Sequence, residues 1–277
     1  RFGYRIEKRT ALAIKAHARE AAGVSAERVR DELLQILQDE RPASGVRLLE
    51  GHGLLEVVLP EVSAMKGVAQ PPEFHPEGDV FTHTMTMLEK MKKKYKKRPA
   101  FVMGVLLHDV GKPPTYKVAE RIRFDNHTTK GAEMAERIMK RLRFSKENIE
   151  TVKELVKNHL RFMDAPNMRP STLKRFLRME DFDLHLELHR LDCIASHGNL
   201  STYRFCKREL KRIGKEEELR PPRLVSGRDL IKMGLEPGPL FKQILSALED
   251  AQLEGGVRTR EQALEWVKSY LAKTGST

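Results

Sequence analysis

Cysteine is scarce in this chain of 277 residues, which has only Cys193 and Cys206 and no Cys-x-x-Cys pair. Disulfide scaffolds and cysteine zinc sites need more thiols at closer spacing, so the sequence argues against both classes. Two isolated cysteines also suit a reducing compartment, and we expect a cytoplasmic protein.

Long apolar runs are missing as well. No stretch approaches the roughly 20 apolar residues that a membrane-spanning helix requires, and the first residues lack the apolar segment of a signal peptide. We therefore expect no membrane partner. Because the sequence begins at Arg1 rather than at methionine, we also expect that it is processed or truncated.

Aromatic residues are few, at 6%, whereas charged residues reach 32%. This composition favours a helical protein over a β-sandwich. Apolar residues recur at helical spacing, and Ser226 with Asp229 and Thr259 with Gln262 have the spacing of capping boxes. We predict an all-α fold, with one exception between residues 112 and 123, where β-propensity indicates a small hairpin or a loop.

Proline- and glycine-rich connections divide the chain into three predicted segments. They are residues 1–67, 68–220 and 221–277, and each has helical patterns. The middle segment should contain helices near residues 80–96, 100–110, 127–142, 146–160, 171–179 and 182–197. We predict a central helical bundle flanked by an N-terminal helical segment and a C-terminal helical tail.

The chain is basic, with a formal net charge of +12. Its densest cluster covers residues 92–98, where five lysines and Arg98 surround Tyr95. Such charge favours a polyanionic partner, RNA first. The cluster is also typical of a solvated helix end whose cations complement the helix dipole. Both interpretations stay open at this stage.

An apolar run from Phe101 leads directly into His108 and Asp109, and the Pro113-Pro114 pair follows. The run is apolar on nearly all sides and therefore predicts a buried helix. A histidine and a carboxylate at its end are costly to bury without partners, and a bound cation would compensate both. The alternative is a helix-end histidine beside a surface aspartate.

Two other residues complete a constellation. His83 precedes the His108-Asp109 pair on a separate predicted helix, and Asp192 follows it on another. The order His, His-Asp, Asp resembles the HD phosphohydrolase superfamily, and His-Asp-Val-Gly-Lys-Pro is the most specific segment of that resemblance. The resemblance implies a metal-dependent phosphohydrolase in which His83, His108, Asp109 and Asp192 bind one metal. Mixed nitrogen and oxygen ligands suit Mn, Fe, Co, Ni or Zn.

A second metal ion fits the same resemblance, because binuclear HD enzymes carry two more histidines between His-Asp and the last Asp. His127 and His159 have this order. Asp109 would then bridge both ions, so the resemblance implies one or two divalent metal ions. The alternative is that His127 and His159 only bind substrate by hydrogen bonds or face solvent.

Several cations and histidines near these ligands are candidates for supporting roles. Lys112, with Asp109, is a candidate catalytic residue because its charge could bind phosphate or help a leaving group, although an i,i+3 pair with Asp109 is the simpler explanation. Lys130 and Arg161 are weaker candidates for binding substrate phosphate. His75 lies in a connection from which it could approach the site, although we favour a surface position. We expect supporting or surface positions for the other histidines around Asp192, which are His185, His189 and His197.

The flanking segments extend the resemblance over nearly the whole chain. Arg-Phe-Gly-Tyr-Arg-Ile and Gly-Leu-Leu-Glu-Val-Val-Leu-Pro-Glu in the first segment are similar to the neck and body of class II tRNA nucleotidyltransferases and poly(A) polymerases. Val225 to Pro239 and the region from Ile244 to Arg260 are similar to their tail. The catalytic head of that family has a Gly-Ser loop and two spaced carboxylates on a strand, which this sequence lacks. Asp181-Phe-Asp183 is instead typical of a helix cap.

Three functions therefore compete. The first is hydrolysis of phosphoesters of nucleotides or RNA ends, with 2′,3′-cyclic nucleotides as the best candidate substrate. The second is an RNA-binding role as the body and tail of a CCA-adding enzyme or poly(A) polymerase without its head, with tRNA as the candidate partner. The third is hydrolysis of a free signalling nucleotide or dNTP, which the RNA-family flanks disfavour.

Overall fold

A computed structural model describes residues 5–213 and 219–274. This part of the chain is almost entirely helical, and its single sheet is a two-stranded hairpin. The predicted all-α fold is therefore confirmed. No helix in the described ranges is both long and apolar enough to cross a membrane.

The first segment is a series of short helices. They are α1 (Lys8–Ala16), α2 (Ala26–Gln38), α3 (Pro42–Gly51), α4 (Leu54–Val58) and α5 (Pro60–Ser63), with a 3-10 helix at Ala18–Gly23. The apolar stripe of α2 buries Leu33 and Leu37. Helix α1 begins with Glu7 as its N-cap, because the Glu7 carboxylate accepts a hydrogen bond from the Thr10 amide.

A longer series of helices follows in the middle of the chain, and some of them carry the candidate ligands. They are α6 (Val80–Lys90), α7 (Lys93–Lys96), α8 (Pro99–Leu107), α9 (Lys112–Thr115), α10 (His127–Arg141), α11 (Lys146–Asn158), α12 (Pro170–Leu177), α13 (Phe182–Ala195) and α14 (Ser201–Ile213), with a 3-10 helix at His159–Asn167. The predicted helix at residues 80–96 is interrupted at Met91, whose extended backbone separates α6 from α7. Strands β1 (Tyr116–Val118) and β2 (Ile122–Phe124) pair in antiparallel register, so of the two predicted alternatives, hairpin and loop, the chain forms the hairpin.

Helix α8 is the centre of the first compact unit, which comprises residues 5–162 and Asp183–Tyr203. Every residue from Ala100 to Leu107 is buried, and α8 packs against α2, α6 and α11. The apolar sequence of this helix is explained by this position, since it has no solvent-facing side. His108 and Asp109 follow its C-terminal end and are buried in the interior of the unit.

The second compact unit comprises Met163–Phe182 and the described residues from Arg204 to Thr274. Its last helices are α15 (Gly227–Lys232), α16 (Pro239–Leu253) and α17 (Arg260–Thr274). Both predicted capping boxes are confirmed: Ser226 and Asp229 bond reciprocally, and so do Thr259 and Gln262. This grouping by contacts cuts across the three sequence segments, whose boundaries stay a prediction.

The basic cluster at residues 92–98 is only partly a solvated surface. Lys96 is buried, and its ammonium donates to the carbonyl oxygens of Asp39 and Glu40 at 2.9 and 2.7 Å. Lys96 therefore caps the chain where α2 ends, as a cation near a helix C-terminus should. Lys93, Lys94 and Lys97 are exposed.

Candidate metal centre

Six candidate ligands converge inside the first unit, from five separate places in the chain. One set contains His83, His108 and Asp192, and a second contains Asp109, His127 and His159. Within each set, one ligand atom per residue lies within 4.8 Å of the others. The sequence predicted all six residues, and the fold brings them together although they span more than one hundred residues.

Asp109 links the two sets through its two carboxylate oxygens. Oδ2 lies 3.1 Å from Nε2 of His108, whereas Oδ1 lies 3.7 and 3.6 Å from Nε2 of His127 and His159. His83 completes the other side, with its Nε2 3.2 Å from Oδ1 of Asp192. This arrangement is compatible with the predicted bridging role of Asp109.

The four histidines all present the same nitrogen to the centre. Nδ1 of His108 bonds the carbonyl of Val105 at 2.9 Å. His127 and His159 repeat this pattern with the carbonyls three residues before them, at 2.8 and 2.7 Å. Because a carbonyl only accepts, Nδ1 carries the proton and Nε2 keeps its lone pair for a ligand.

Several buried polar atoms at the centre have no hydrogen-bond partner in the described part of the chain, and this shows whether a metal ion would suit these residues. Within the described chain, four buried atoms of the two sets lack a hydrogen-bond partner: Nε2 of His83, His108 and His127, and Oδ1 of Asp109. Buried polar atoms without partners are costly. A divalent metal would coordinate these lone pairs, and the mixed imidazole and carboxylate donors suit such an ion. The residues present therefore fit the group that the sequence predicted.

Burial and neighbouring charges change the pKa values of the ligands. Burial lowers the pKa of His159 to about 4, against the attraction of Asp109. Burial also acts to lower the pKa of His83, but the nearby carboxylates of Asp192 and Glu77 outweigh it and raise the value to about 9. Although burial opposes it, the neighbouring His108 and Lys112 side chains hold the pKa of Asp109 well below its usual range.

Lys112 is a buried partner of Asp109. Its ammonium lies 2.7 Å from Asp109 Oδ2 and donates to Gln70 Oε1 at 2.7 Å. It also lies over the ring of Phe124, at 5.3 Å from the centroid. The i,i+3 pair predicted as the simpler explanation is therefore present, and the catalytic role of Lys112 stays a prediction.

The two weaker candidates for binding phosphate are two or three residues away from candidate ligands in the sequence. Lys130 is on α10, three residues after His127, and its ammonium lies 3.6 Å from Glu133. Arg161 follows His159 by two residues and donates to the side chain of Asn158. The predicted phosphate contacts of both residues stay predictions.

The sequence prediction missed Glu77, which lies beside His83, and favoured a surface position for His75. Glu77 accepts hydrogen bonds from Nδ1 of His75 at 2.9 Å and of His83 at 2.5 Å. The expected surface position of His75 is wrong, because its side chain is only 17% exposed and its ring lies 5.0 Å from that of His83. A His-x-Glu sequence immediately before the His83 helix was the available signal.

Of the other histidines around Asp192, His185 and His189 are buried and His197 is exposed, and their supporting roles stay a prediction. His189 is buried and stacks on Phe162, with 4.5 Å between the ring centroids. Its Nε2 lies 3.6 Å from the thiol of Cys193. His197 is exposed.

The helical fold and the converging histidine and aspartate side chains are compatible with the HD resemblance, and comparison with known proteins agrees with the fold. Residues 80–191 match the HD domain family. Residues 3–66 match the family described as the probable RNA and SrmB-binding site of polymerase A. The chain thus contains one segment that matches the HD domain family and another that matches the polymerase A RNA-binding family.

Two longer relatives show which group of enzymes the chain is similar to. It is 34% identical to the CC-adding tRNA nucleotidyltransferase of Thermus thermophilus, over 94% of this chain and 62% of the relative. It is 31% identical to the A-adding tRNA nucleotidyltransferase of Deinococcus radiodurans, over 90% of this chain and 59% of the relative. The chain is homologous to these enzymes and matches the body, HD and tail region of class II tRNA nucleotidyltransferases. It spans about three fifths of the length of the two relatives.

Proposed function

We propose that this chain binds RNA, tRNA in particular, as the body, HD and tail part of a tRNA nucleotidyltransferase-type protein. The observation that carries the proposal is the similarity to two tRNA nucleotidyltransferases over nine tenths of the chain. The RNA-binding family match at residues 3–66 and the net charge of +12 support it. These comparisons favour RNA binding over the hydrolysis that we first expected.

A titration of labelled tRNA at several salt concentrations tests this proposal. Binding by diffuse positive charge should weaken steeply as salt rises, because neutralising phosphates releases counterions. Absence of binding at low salt contradicts the proposal.

The exposed lysines of the cluster at residues 92–98 allow a sharper test. Replacing Lys93 and Lys97 together by glutamate should weaken tRNA binding and reduce the salt slope by about two, if each contacts one phosphate. Lys140→Glu is a suitable control, because Lys140 is exposed but already paired with Glu136 at 2.6 Å. Equal effects of both changes would show that the cluster has no special role.

A second function is favoured by the candidate metal centre. We propose that the HD site hydrolyses phosphoesters of nucleotides or RNA ends, with the 2′,3′-cyclic phosphate as the preferred substrate. The supporting observation is the convergence of four imidazole Nε2 atoms and two carboxylates. A divalent metal bound there supplies an activated water and a Lewis acid for such hydrolysis.

The residues of the chain have separable tasks in this proposal. Backbone carbonyls orient His108, His127 and His159 through Nδ1. Asp109 joins both ligand sets, and Lys112 balances its charge. Burial of the set around Asp109 restricts access of bulk water, which strengthens electrostatic interactions with a substrate phosphate.

A substrate panel tests hydrolysis. Protein reconstituted with Mn, Fe, Co, Ni or Zn would be assayed with a 2′,3′-cyclic nucleotide, a nucleoside monophosphate and a dNTP. We expect the cyclic substrate to react fastest. A metal-loaded protein that is inactive on all three substrates contradicts hydrolysis and leaves tRNA binding as the function.

A further inference from the structure

His83 differs from the other three histidines of the centre in what holds its ring. His108, His127 and His159 each bond a main-chain carbonyl three residues earlier through Nδ1. The corresponding carbonyl for His83 belongs to Val80, inside α6, and accepts a bond from the Thr84 hydroxyl. Nδ1 of His83 bonds the side chain of Glu77 instead.

Glu77 is held firmly enough to orient a ring. Its carboxylate is 11% exposed, and Oε1 accepts bonds from His75 at 2.9 Å and from His83 at 2.5 Å. Asp79, two residues later, fixes the same loop, because its carboxylate accepts from the amides of Gly67 and Thr82. The hydrogen bonds of Glu77 and Asp79 thus fix the loop before α6 on the Nδ1 side of the His83 ring.

His75, Glu77 and His83 could themselves hold a metal, since one atom from each lies within 4.8 Å of the others. The chemistry of imidazole argues against this alternative. A neutral ring has one lone pair and one N–H. Oε1 of Glu77 only accepts, so Nδ1 of His83, at 2.5 Å, donates its proton to it. The lone pair of the neutral ring is then left to Nε2, which has no hydrogen-bond partner among the described residues and lies in the set with His108 and Asp192.

We propose that Glu77 is the positioning residue for His83, holding Nδ1 protonated and Nε2 directed at the metal, and that His75 fixes the Glu77 carboxylate. This inference rests on the metal centre of the proposed function, but not on the identity of its substrate. Carboxylates that bond a metal-bound histidine in this way affect metal affinity by about 10- to 100-fold.

Metal affinity, measured by competition with a chelator, is the main test. Glu77→Gln should bind Zn²⁺ or Co²⁺ about 10- to 100-fold more weakly than the unmodified chain. Glu77→Asp keeps the charge on a shorter side chain and should lose less affinity, as should His75→Asn. Glu73→Gln is the matched control, because Glu73 is exposed in the same loop, and should leave affinity unchanged.

A nuclear magnetic resonance signal separates positioning from a general loss of structure. In the zinc-loaded protein, the Nδ1 proton of His83 should be hydrogen-bonded and slow to exchange with solvent. Glu77→Gln should make it exchange faster, whereas the Nδ1 protons of His108 and His159 should not change. Circular dichroism verifies that each variant folds, and Glu77→Asp provides the comparison if Glu77→Gln does not.

The outcomes are distinguishable. If the unmodified chain binds no metal, the proposed centre fails, and this inference fails with it. If the unmodified chain binds metal and Glu77→Gln binds it equally well, the centre stands and the role of Glu77 is overturned. Binding of an additional ion that requires His75 would also overturn it, in favour of a separate metal site.

Discussion

Asp109 and Lys112 form a buried ion pair at the candidate metal centre, with 2.7 Å between Oδ2 and Nζ. The two residues are 2% and 6% exposed. Asp109 follows the end of the apolar helix α8, and Lys112 is the first residue of α9. The short connection between the two helices therefore places the negative and the positive side chain next to each other.

Removing Lys112 should destabilise the metal-free protein more than the metal-loaded protein. Lys112→Met keeps the length of the side chain but leaves Asp109 without its ammonium partner, and breaking a buried pair costs about 3–5 kcal/mol. A bound cation would compensate Asp109 instead. Urea unfolding with chelator and with excess Mn²⁺ measures the difference.

Lys117→Met is the control for this experiment, because Lys117 is exposed on β1. It should change stability little in either condition. The same Lys112 variant should retain metal but hydrolyse phosphoesters more slowly, since the lost charge acts mainly on the transferring phosphoryl group. If Lys112→Met destabilises the protein equally with and without metal, a bound cation does not replace the Lys112 ammonium as the partner of Asp109.

Replacing Asp109 should abolish both metal loading and hydrolysis. Asp109→Ala removes the carboxylate that lies near ligands of both sets. We expect metal affinity to fall by more than the roughly 100-fold upper value for residues outside the ligand set. Metal content after gel filtration and turnover of the cyclic nucleotide are the measurements, and full activity in this variant would defeat the catalytic assignment.

Gly111 should tolerate no side chain. A Cβ there would lie 2.1 Å from the carbonyl oxygen of His127 and 2.6 Å from the amide nitrogen of Gly131. Both atoms belong to the backbone of α10, so the start of that helix would have to move. Overpacking of this kind costs about 1–3 kcal/mol or more, and the displacement should weaken metal binding by the set that contains His127.

Urea unfolding and metal stoichiometry test Gly111→Ala. Gly51→Ala serves as the control, because a Cβ at Gly51 meets no atom within 4 Å among the described residues. If Gly111→Ala and Gly51→Ala give the same stability and metal stoichiometry, the close contact between Gly111 and the backbone of α10 is not needed for metal binding.

His189 should contribute to loss of stability in acid. Burial lowers its pKa to about 4 from an ordinary value of 6.5. Because the unfolded chain binds the proton more readily, the stabilising contribution is complete above about pH 6.5 and is lost as the pH falls towards 4. The loss is on the order of 3 kcal/mol at pH 4.

Unfolding free energies between pH 7 and pH 4 measure this contribution. His189→Phe keeps a ring for stacking on Phe162 and should reduce the pH dependence in this range. His197→Gln changes an exposed histidine nearby and should keep the pH dependence of the unmodified chain. A His189→Phe curve parallel to the unmodified curve would show that other groups cause the acid sensitivity.

The sequence by itself determined the helical class and left a hairpin or a loop open near residues 112–123, while its resemblance to the HD superfamily named the six candidate ligands. Periodic apolar residues and capping pairs are local signals, so they predict helices without knowledge of packing. The His-Asp pair at the end of an apolar run was similarly local, because burying both groups requires compensation wherever the helix lies.

Only the tertiary structure decided how these residues act together. Which ring nitrogen faces the centre depends on Nδ1 partners, and for His83 that partner is Glu77 on a preceding loop. Lys96 belongs to a basic cluster in sequence, yet it caps the end of α2, more than fifty residues away. Such relationships depend on packing between distant segments, because sequence periodicity specifies which face of a helix is buried but not what that face meets.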